Sequence, residues 1–214
     1  MLLIPMINVA DIDNHANILE SMQNVQESKI ACVNWPDEYP SKHGVTFKIA
    51  HNGTHLLLQY FVEEDEILAK TEVDNGPVWT DSCVEFFISF DNSPYYYNAE
   101  FSCIGKALLA YRPGRENAVH ADEVIMSSIK RYSSLGDKTF GKRKGNFKWE
   151  LLVVIPVSAY WKSDIKKLNG VTARANFYKC GDNLTTPHYL SWNPILTENA
   201  DFHTPQFFGD VKFE

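Results

Sequence analysis

Short segments with alternating apolar and polar residues dominate the chain from residue 45 onward, and this pattern limits the fold more than any other feature. Turn-forming clusters of Gly, Pro, Asn and Asp separate these segments, and no long helical pattern lies between them. The predicted strands are 45–50, 55–62, 82–90, 96–104, 106–111, 124–132, 147–155, 171–179 and 210–213. Such a series predicts an all-β antiparallel sandwich or jelly roll with little helix.

The firmest local prediction is a β-hairpin centred on Asn52-Gly53. An Asn-Gly pair between two apolar runs favours a two-residue hairpin turn, because both positions tolerate positive φ. The Gly- and Lys-rich run 136–146 is instead predicted to be a loop within the domain.

The N-terminal section is less regular than the rest. Residues 1–9 are apolar and predict a first strand, and residues 14–26 show modest helical spacing. The 214 residues and the 44% hydrophobic content predict one domain, 1–214, with residues 1–40 as an extension packed on it. Because no basic leader precedes the apolar start, we predict a cytoplasmic location for the chain as written, or a periplasmic or extracellular one if an export signal has been removed.

Charge and cysteine usage exclude several classes of partner. The net charge of −7 and a longest basic run of only Lys142-Arg143-Lys144 predict no nucleic-acid partner. No stretch approaches the roughly 20 apolar residues that span a bilayer, so no membrane partner is predicted. The four cysteines show no zinc-ligand spacing and are predicted to be free, mostly buried thiols.

Three predicted strands share a one-sided set of polar residues. Side chains alternate across a strand, so strand 82–90 places Glu85 opposite its apolar face, strand 96–104 places Asn98 and Glu100 there, and strand 171–179 places Arg174 and Asn176 there. If these strands are neighbours, the five side chains form one patch of carboxylate, amide and guanidinium groups that suits sugar hydroxyls. The alternative is an ordinary solvated outer face of a sandwich.

Two tryptophans are flanked by turn signals and are candidate sugar-stacking rings. Trp79 follows Gly76-Pro77, and Trp192 lies just before Asn193-Pro194. A flat indole ring can pack against the apolar face of a pyranose, but either ring could equally close the end of the core. Trp149 is predicted to lie in the core, Trp161 at the core edge, and Trp35 is predicted to be structural.

The order of five segments resembles the family 9 carbohydrate-binding module. The segments are Val78-Trp79-Thr80-Asp81-Ser82-Cys83-Val84-Glu85-Phe86-Phe87-Ile88, Tyr97-Asn98-Ala99-Glu100-Phe101 with Gly105, Trp149-Glu150-Leu151 leading to Ile155-Pro156, residues 170–177, and residues 202–213. Together they cover the chain from about residue 45 to its end.

The resemblance implies a sandwich that binds carbohydrate without cleaving it, between two clamping aromatic rings. It implies a preference for glycan ends or short β-linked oligosaccharides, no required cofactor, and a possible structural calcium ion. Trp79 matches the first ring, Trp192 is the candidate second ring, and Glu85 matches the carboxylate. Arg174, Asn176 and, more weakly, Lys106 match positions of polar contacts. No acidic loop has the Asp-x-Asp-x-Asp-Gly pattern, so the metal ligands stay unassigned.

Two other classes of function remain open at the level of sequence. A glycoside hydrolase would use two of Asp81, Glu85 and Glu100 as its paired carboxylates. A haem-binding sandwich would need Met and His as axial ligands. The candidates for those ligands are Met6, Met22, Met126, His120 and His188.

Overall fold

The fold is built on two packed β-sheets. The computed structural model describes residues 1–90 and 94–214. Its strands are β1 Leu2–Ile4, β2 Ser28–Lys29, β3 Cys32–Val33, β4 Gly44–His51, β5 His55–Ala69, β6 Cys83–Ser89, β7 Tyr96–Ser102, β8 Ala107–Arg112, β9 Val119–His120, β10 Lys130–Ser133, β11 Phe140–Pro156, β12 Thr172–Cys180, β13 Tyr189–Ser191 and β14 Gly209–Phe213. Its α-helices are α1 His15–Met22 and α2 Glu123–Ser128, and three short 3₁₀ helices lie at Val78–Thr80, Val157–Ala159 and Pro205–Phe207.

The larger sheet has the strand order β1-β14-β12-β6-β7-β8-β9, with β13 pairing with β12 and β3. The smaller sheet has the order β10-β11-β5-β4-β2. Every pairing between named strands is antiparallel except that of β1 with β14. The predicted antiparallel sandwich is confirmed.

The core lies between the two sheets and follows from the alternation of each strand. Val84, Phe86 and Phe177 of the larger sheet meet Phe47 and Tyr60 of the smaller one. Trp149 is also buried in this core, as predicted, and Trp161 packs at its edge.

The hairpin predicted at Asn52-Gly53 joins β4 to β5. Gly53 has a φ of 95°, a conformation that glycine adopts without steric cost. The Asn52 side chain accepts hydrogen bonds from the backbone N–H groups of Thr54 and His55, at 3.1 and 2.8 Å. This turn fixes the register of the two strands, with His51 opposite Leu56.

The N-terminal section contributes to both sheets. Residues 1–9 form a strand only over Leu2–Ile4, which adds to the edge of the larger sheet beside β14. Helix α1, capped by the Asn14 side chain, buries Ile18 and Met22 against the outer face of the smaller sheet. The division into a 1–214 domain with a 1–40 extension stays a prediction.

The prediction of a strand at 124–132 is wrong for the first half of that range. Asp122 caps the first turn of α2 by accepting a hydrogen bond from the Ile125 N–H at 2.9 Å, so the chain is helical to Ser128. Strand β10 begins only at Lys130. None of the helices in the described ranges is long and apolar enough to cross a membrane.

The loop predicted at 136–146 is also wrong over most of its length. Strand β11 begins at Phe140 and pairs with the extended half of β5 through two register shifts. In this part of β11, which extends beyond the sandwich, both faces of the strand are exposed to solvent. The Lys142-Arg143-Lys144 run therefore shows no alternation of apolar and polar residues that would indicate a strand.

Candidate functional site

The outer face of the larger sheet is covered rather than solvated. A second apolar cluster lies on it, in which Phe87 and Tyr178 of the sheet meet Trp35, Phe202 and Phe208 from the connecting segments. Trp35 is structural, as predicted, and donates its indole N–H to the Thr197 carbonyl at 2.9 Å. The polar residues of this face, Glu85, Asn98, Glu100 and Asn176, are therefore buried, so the alternative of a solvated face does not hold for them.

A cavity of about 440 Å³ opens between this sheet face and the segments that cover it. Of the residues predicted from sequence, Trp79, Glu85 and Glu100 lie on its wall. The remaining wall is formed by Tyr39, Asn75, Leu108, Arg112, Arg115, His120, Cys180, Asp182, Tyr189, Ala200, Asp201, Phe202 and His203.

Two carboxyl groups face each other at the base of the cavity. Glu85 on β6 lies directly opposite Glu100 on β7. Glu85 accepts a hydrogen bond from the Cys180 thiol at 3.0 Å, and Glu100 accepts one from the Asn98 amide at 2.7 Å. The second oxygen of Glu100, Oε2, is buried and has no hydrogen-bond partner.

Burial shifts the ionisation of both carboxyl groups. It raises the pKa of Glu100 from 4.5 to about 7, although nearby Arg112 and the Asn98 hydrogen bond lower it. The pKa of Glu85 is raised well above 4.5, first by burial and then by the negative charge of Glu100. A proton is therefore retained by this pair when ordinary surface carboxylates are fully ionised.

Trp79 provides an exposed ring at the cavity wall. It lies in the 3₁₀ helix Val78–Thr80, and 38% of its surface is exposed. The next residue but one, Asp81, holds this segment in place because its carboxylate accepts the backbone N–H groups of Lys70 and Thr71, both at 2.9 Å. Asp81 is fully buried and thus has a structural role here.

The other residues predicted for the site lie outside the cavity wall. Asn98 lies beside it, between Glu100 and Arg112. Asn176 is fully buried and holds the backbone of Asn193, through its amide to the carbonyl at 3.0 Å and through its oxygen to the N–H at 2.9 Å. Arg174 donates to the carbonyls of Gln206 and Phe208, both at 3.1 Å.

The two remaining predicted residues are also away from the cavity. Trp192 packs edge-on against Phe177, with ring centroids 5.6 Å apart. It also lies over Gly209, where an added Cβ would come within 2.6 Å of the indole ring, so only glycine fits there. Lys106 follows the turn at Gly105 and has no atom on the cavity wall.

Several wall residues had no place in the sequence-based prediction. Arg112 shares the outward face of β8 with Leu108 and Ala110, and the alternation of that strand could have identified it. Its guanidinium donates to the carbonyl of Gly114 at 2.8 Å. Arg115 forms a 3.0 Å ion pair with Asp201. Arg115, Asp201 and Tyr39 lie in irregular segments, which carry no periodic signal. Tyr189 begins the short strand β13, which is too short to show an alternation.

Among the described residues, no three carboxylate side chains lie close enough together to share a calcium ion. Calcium takes 6–8 oxygen ligands. In the described ranges, the one group of three or more His, Cys, Asp or Glu side chains close enough to share a metal is Cys83, Glu85 and Cys180, and two of these ligands are thiols. No calcium ligands are assigned.

The residues considered as haem ligands are dispersed. Met22 and Met126 are buried in separate apolar clusters, and Met6 is exposed. His188 is buried and lies with Nε2 at 3.0 Å from the Lys179 ammonium, whereas exposed His120 lies on the cavity wall.

Comparisons with known proteins agree on one family. The sequence profile of carbohydrate-binding family 9 matches residues 14–213. A crystal structure of a Bacteroides uniformis ATCC 8492 protein assigned to carbohydrate binding is 40% identical, with a TM-score of 0.95 over 100% of this chain and 98% of that one.

Two more distant structures share the fold. A family 9 carbohydrate-binding module from Caldicellulosiruptor kristjanssonii in complex with glucose has a TM-score of 0.60 at 13% identity, over 100% of this chain and 95% of that one. The complex of such a module with cellotriose gives 0.58 at 14% identity, over 100% and 93%. A comparison with curated proteins gave no significant match. Since the family profile spans nearly the whole chain, the protein belongs to carbohydrate-binding family 9.

Proposed function

We propose that the cavity on the outer face of the larger sheet binds the end of an oligosaccharide. The observation that carries this proposal is the Oε2 atom of Glu100. This atom is buried and has no hydrogen-bond partner, and Glu100 lines the cavity. An unpaired buried acceptor costs roughly 1–3 kcal/mol, and a ligand hydroxyl that donates to it would remove that cost. A sugar offers such hydroxyls around its whole rim.

Aromatic rings provide the second part of the proposed site. The exposed face of Trp79 is suited to the apolar face of a pyranose. Because Trp192 lies outside the cavity, we propose Tyr39 as the second ring. Tyr39 is partly exposed on the cavity wall and is fixed by an edge-on contact with Tyr189, with ring centroids 4.7 Å apart.

The size and charge of the cavity favour a neutral sugar. Its volume of about 440 Å³ falls within the ~300–1,000 Å³ typical of small-ligand sites. Asp182 and Asp201 add two more carboxyl groups to the wall, against the two guanidinium groups of Arg112 and Arg115, so an anionic sugar would meet more acidic than basic groups. Glucose and short β-glucans are the first candidates, because family 9 modules of C. kristjanssonii bind glucose and cellotriose.

Binding takes place without cleavage. Carbohydrate-binding family 9 is a family of binding modules. Membership of this family therefore favours carbohydrate binding over the glycoside hydrolase and haem-binding alternatives. The cavity carboxyl groups Glu85 and Glu100 accordingly serve as hydrogen-bonding groups for the ligand in this proposal.

We also propose that the protein works in the cytoplasm, with the periplasm or the extracellular space as the alternative. All four cysteines are free thiols, and three of them are buried, as predicted. Free thiols support a compartment that keeps cysteines reduced.

Three single variants test the proposed site. Trp79→Ala and Tyr39→Ala should each weaken glucose or cellotriose binding at least tenfold, about 1.4 kcal/mol. Trp192→Phe is the matched control, because it changes an aromatic ring that packs on Gly209 away from the cavity, and it should bind as the parent does. Titration calorimetry gives the affinities, and chromatography of the same mixtures should recover the glycan intact.

The opposite pattern of affinities would place the stacking rings of the sugar site elsewhere. If Trp192→Phe loses affinity while Tyr39→Ala retains it, Trp192 is the second ring after all. If Trp79→Ala binds as well as the parent, the cavity is not the sugar site.

A further inference from the structure

Two cysteines and a glutamate form a compact group beneath the cavity. Cys83 on β6 lies directly opposite Cys180 on β12, and Glu85 follows two residues after Cys83 on the same face. One ligand atom from each of the three side chains lies within 4.8 Å of the others. All three side chains are buried. We propose that this group is a zinc-binding site with an open fourth position facing the cavity.

The donor set suits zinc by chemistry and by distance. Zinc binds thiolate sulfur at about 2.3 Å and carboxylate oxygen at about 2.0–2.2 Å, and tetrahedral geometry then places neighbouring donors about 3.5–3.8 Å apart. Because the present separations are at most 4.8 Å, no pair of donors has to approach by more than about 1.3 Å. Side-chain rotation of the cysteines can supply this adjustment, because their partners outside the group are weak: Cys83 Sγ contacts the Val84 carbonyl at 3.6 Å, and Cys180 Sγ contacts the Trp79 carbonyl at 3.6 Å. The shorter contact of Cys180 Sγ, to Glu85 Oε1 at 3.0 Å, lies within the group itself.

The cavity provides the entry path and the remaining ligand. Cys180 and Glu85 both lie on its wall, so an ion that enters the cavity reaches two donors directly. The third donor, Cys83, lies behind them with no exposed surface. Three protein ligands with one open position is the arrangement of zinc sites that exchange a water or a substrate oxygen.

Binding is balanced by proton release. Each thiol must lose its proton to coordinate the ion, and Glu85 must bind as a carboxylate. Zn²⁺ binding therefore releases the protons of Cys83 and Cys180 to solvent, and any proton on Glu85 passes to Glu100 or to solvent, which leaves the zinc bound to two thiolates and the Glu85 carboxylate. No oxidant or reductant takes part. The proposed metal site shares Glu85 with the proposed sugar site, but its test needs no glycan, so the two proposals can fail separately.

Cobalt(II) titration of the reduced full-length chain tests the proposal. A thiolate-bound tetrahedral Co²⁺ should give sulfur-to-metal charge-transfer and visible absorption that saturates at one ion per chain and disappears when Zn²⁺ is added. Cys83→Ser and Cys180→Ser should each lose the charge-transfer band or weaken it by at least half. Cys103→Ser, a buried cysteine outside the group, and the partly exposed Cys32→Ser should keep it unchanged.

A second measurement guards against variants that fail to fold. Zn²⁺ should raise the melting temperature of the parent and of Cys103→Ser, because a ligand that binds the folded state stabilises it, and proton release should accompany each addition in weak buffer. No charge-transfer band in the reduced parent, or a band that survives intact in folded Cys180→Ser, overturns the proposal. Glucose binding of the same samples is measured separately, so a failed metal site and a failed sugar site are distinguished.

Discussion

Buried carboxyl groups occur at two places in the molecule, in contrasting surroundings. In the sandwich interior, Glu64 Oε2 lies 3.0 Å from the Lys179 ammonium, and Glu64 Oε1 accepts the indole N–H of Trp149 at 2.6 Å. Beneath the cavity, Glu85 and Glu100 face each other without an ion pair among the described residues.

The contrast separates a structural role from a ligand-binding one. The Glu64 cluster links β5, β11 and β12 across the two sheets, and its charge is balanced within the protein. Glu64 Oε2 has no hydrogen bond either, but the Lys179 ammonium lies 3.0 Å from it. Among the described residues, Glu100 Oε2 has neither a hydrogen bond nor an ion pair, and its side chain lies on the cavity wall. A protein keeps such an unsatisfied buried group chiefly where something else completes it.

The largest expected effect comes from unbalancing the interior cluster. Lys179→Met leaves the Glu64 carboxylate buried without its counter-charge, and we expect a loss of about 3–5 kcal/mol in the free energy of unfolding. Urea denaturation at pH 7 measures it. The double variant Lys179→Met/Glu64→Gln, which keeps an acceptor for Trp149, should recover most of the loss. A loss below about 1 kcal/mol in the single variant would mean that the two clusters do not differ as described.

The second-largest expected effect is a change with pH in the free energy of unfolding, which comes from Glu100 in the cavity. Since the folded-state pKa of Glu100 is raised to about 7 from 4.5, the unfolded chain loses this proton first as pH rises. The contribution of Glu100 is thus fully present below pH 4.5 and is lost as pH rises to about 7. At about 1.4 kcal/mol per pKa unit, the loss approaches about 3 kcal/mol. Denaturation curves of the parent and of Glu100→Gln at several pH values across this window measure it as the difference between the two proteins. The difference is needed because burial lowers the pKa of His188 to about 2 and that of His203 to about 3, and these residues stabilise the protein increasingly as pH rises toward 6.5.

Glu100→Gln is the control for the pH effect. Because the amide carries no charge at any pH in this window, the parent should lose up to about 3 kcal/mol relative to the variant as pH rises through it, while the Asn98 contact has an acceptor at the same position. If the stability difference between the two proteins does not change with pH, Glu100 is not the group responsible.

The smallest effect is expected at an exposed ion pair. Lys148 and Glu63 form a salt bridge whose side chains are 77% and 60% exposed. Lys148→Ala should change the free energy of unfolding by less than about 0.5 kcal/mol, because solvent already screens such pairs. A change above about 1 kcal/mol would show that the surface pair resembles the interior cluster, against the comparison drawn here.

Much of the sandwich was predictable because its strands have one apolar face toward the core. Alternation identified β6, β7 and β12, and Asn52-Gly53 identified the hairpin. Prediction failed where a local cap outweighed the apolar pattern, as Asp122 does at α2. It also failed where β11 extends beyond the core and both of its faces become polar.

The candidate site was only partly predictable for a related reason. Alternation placed Glu85 and Glu100 on one face, and the register brought them opposite each other. It could not show that Phe202 and its neighbours cover that face and turn a wet surface into a walled cavity. For the same reason Asn176 was predicted to contact a ligand, whereas it holds the backbone of Asn193.

The position of β14 in the larger sheet sets a constraint on the order of events during synthesis. This strand lies between β1 and β12, so Leu2 pairs with Val211 across nearly the entire chain. Contacts between such distant residues form late, because the entropy cost of closing a long loop must be met before these contacts can stabilise the fold. Strand β1 must therefore wait, without its sheet partner, until residues 209–213 have emerged from the ribosome, and the hairpin of β4 and β5 is complete long before that edge can close.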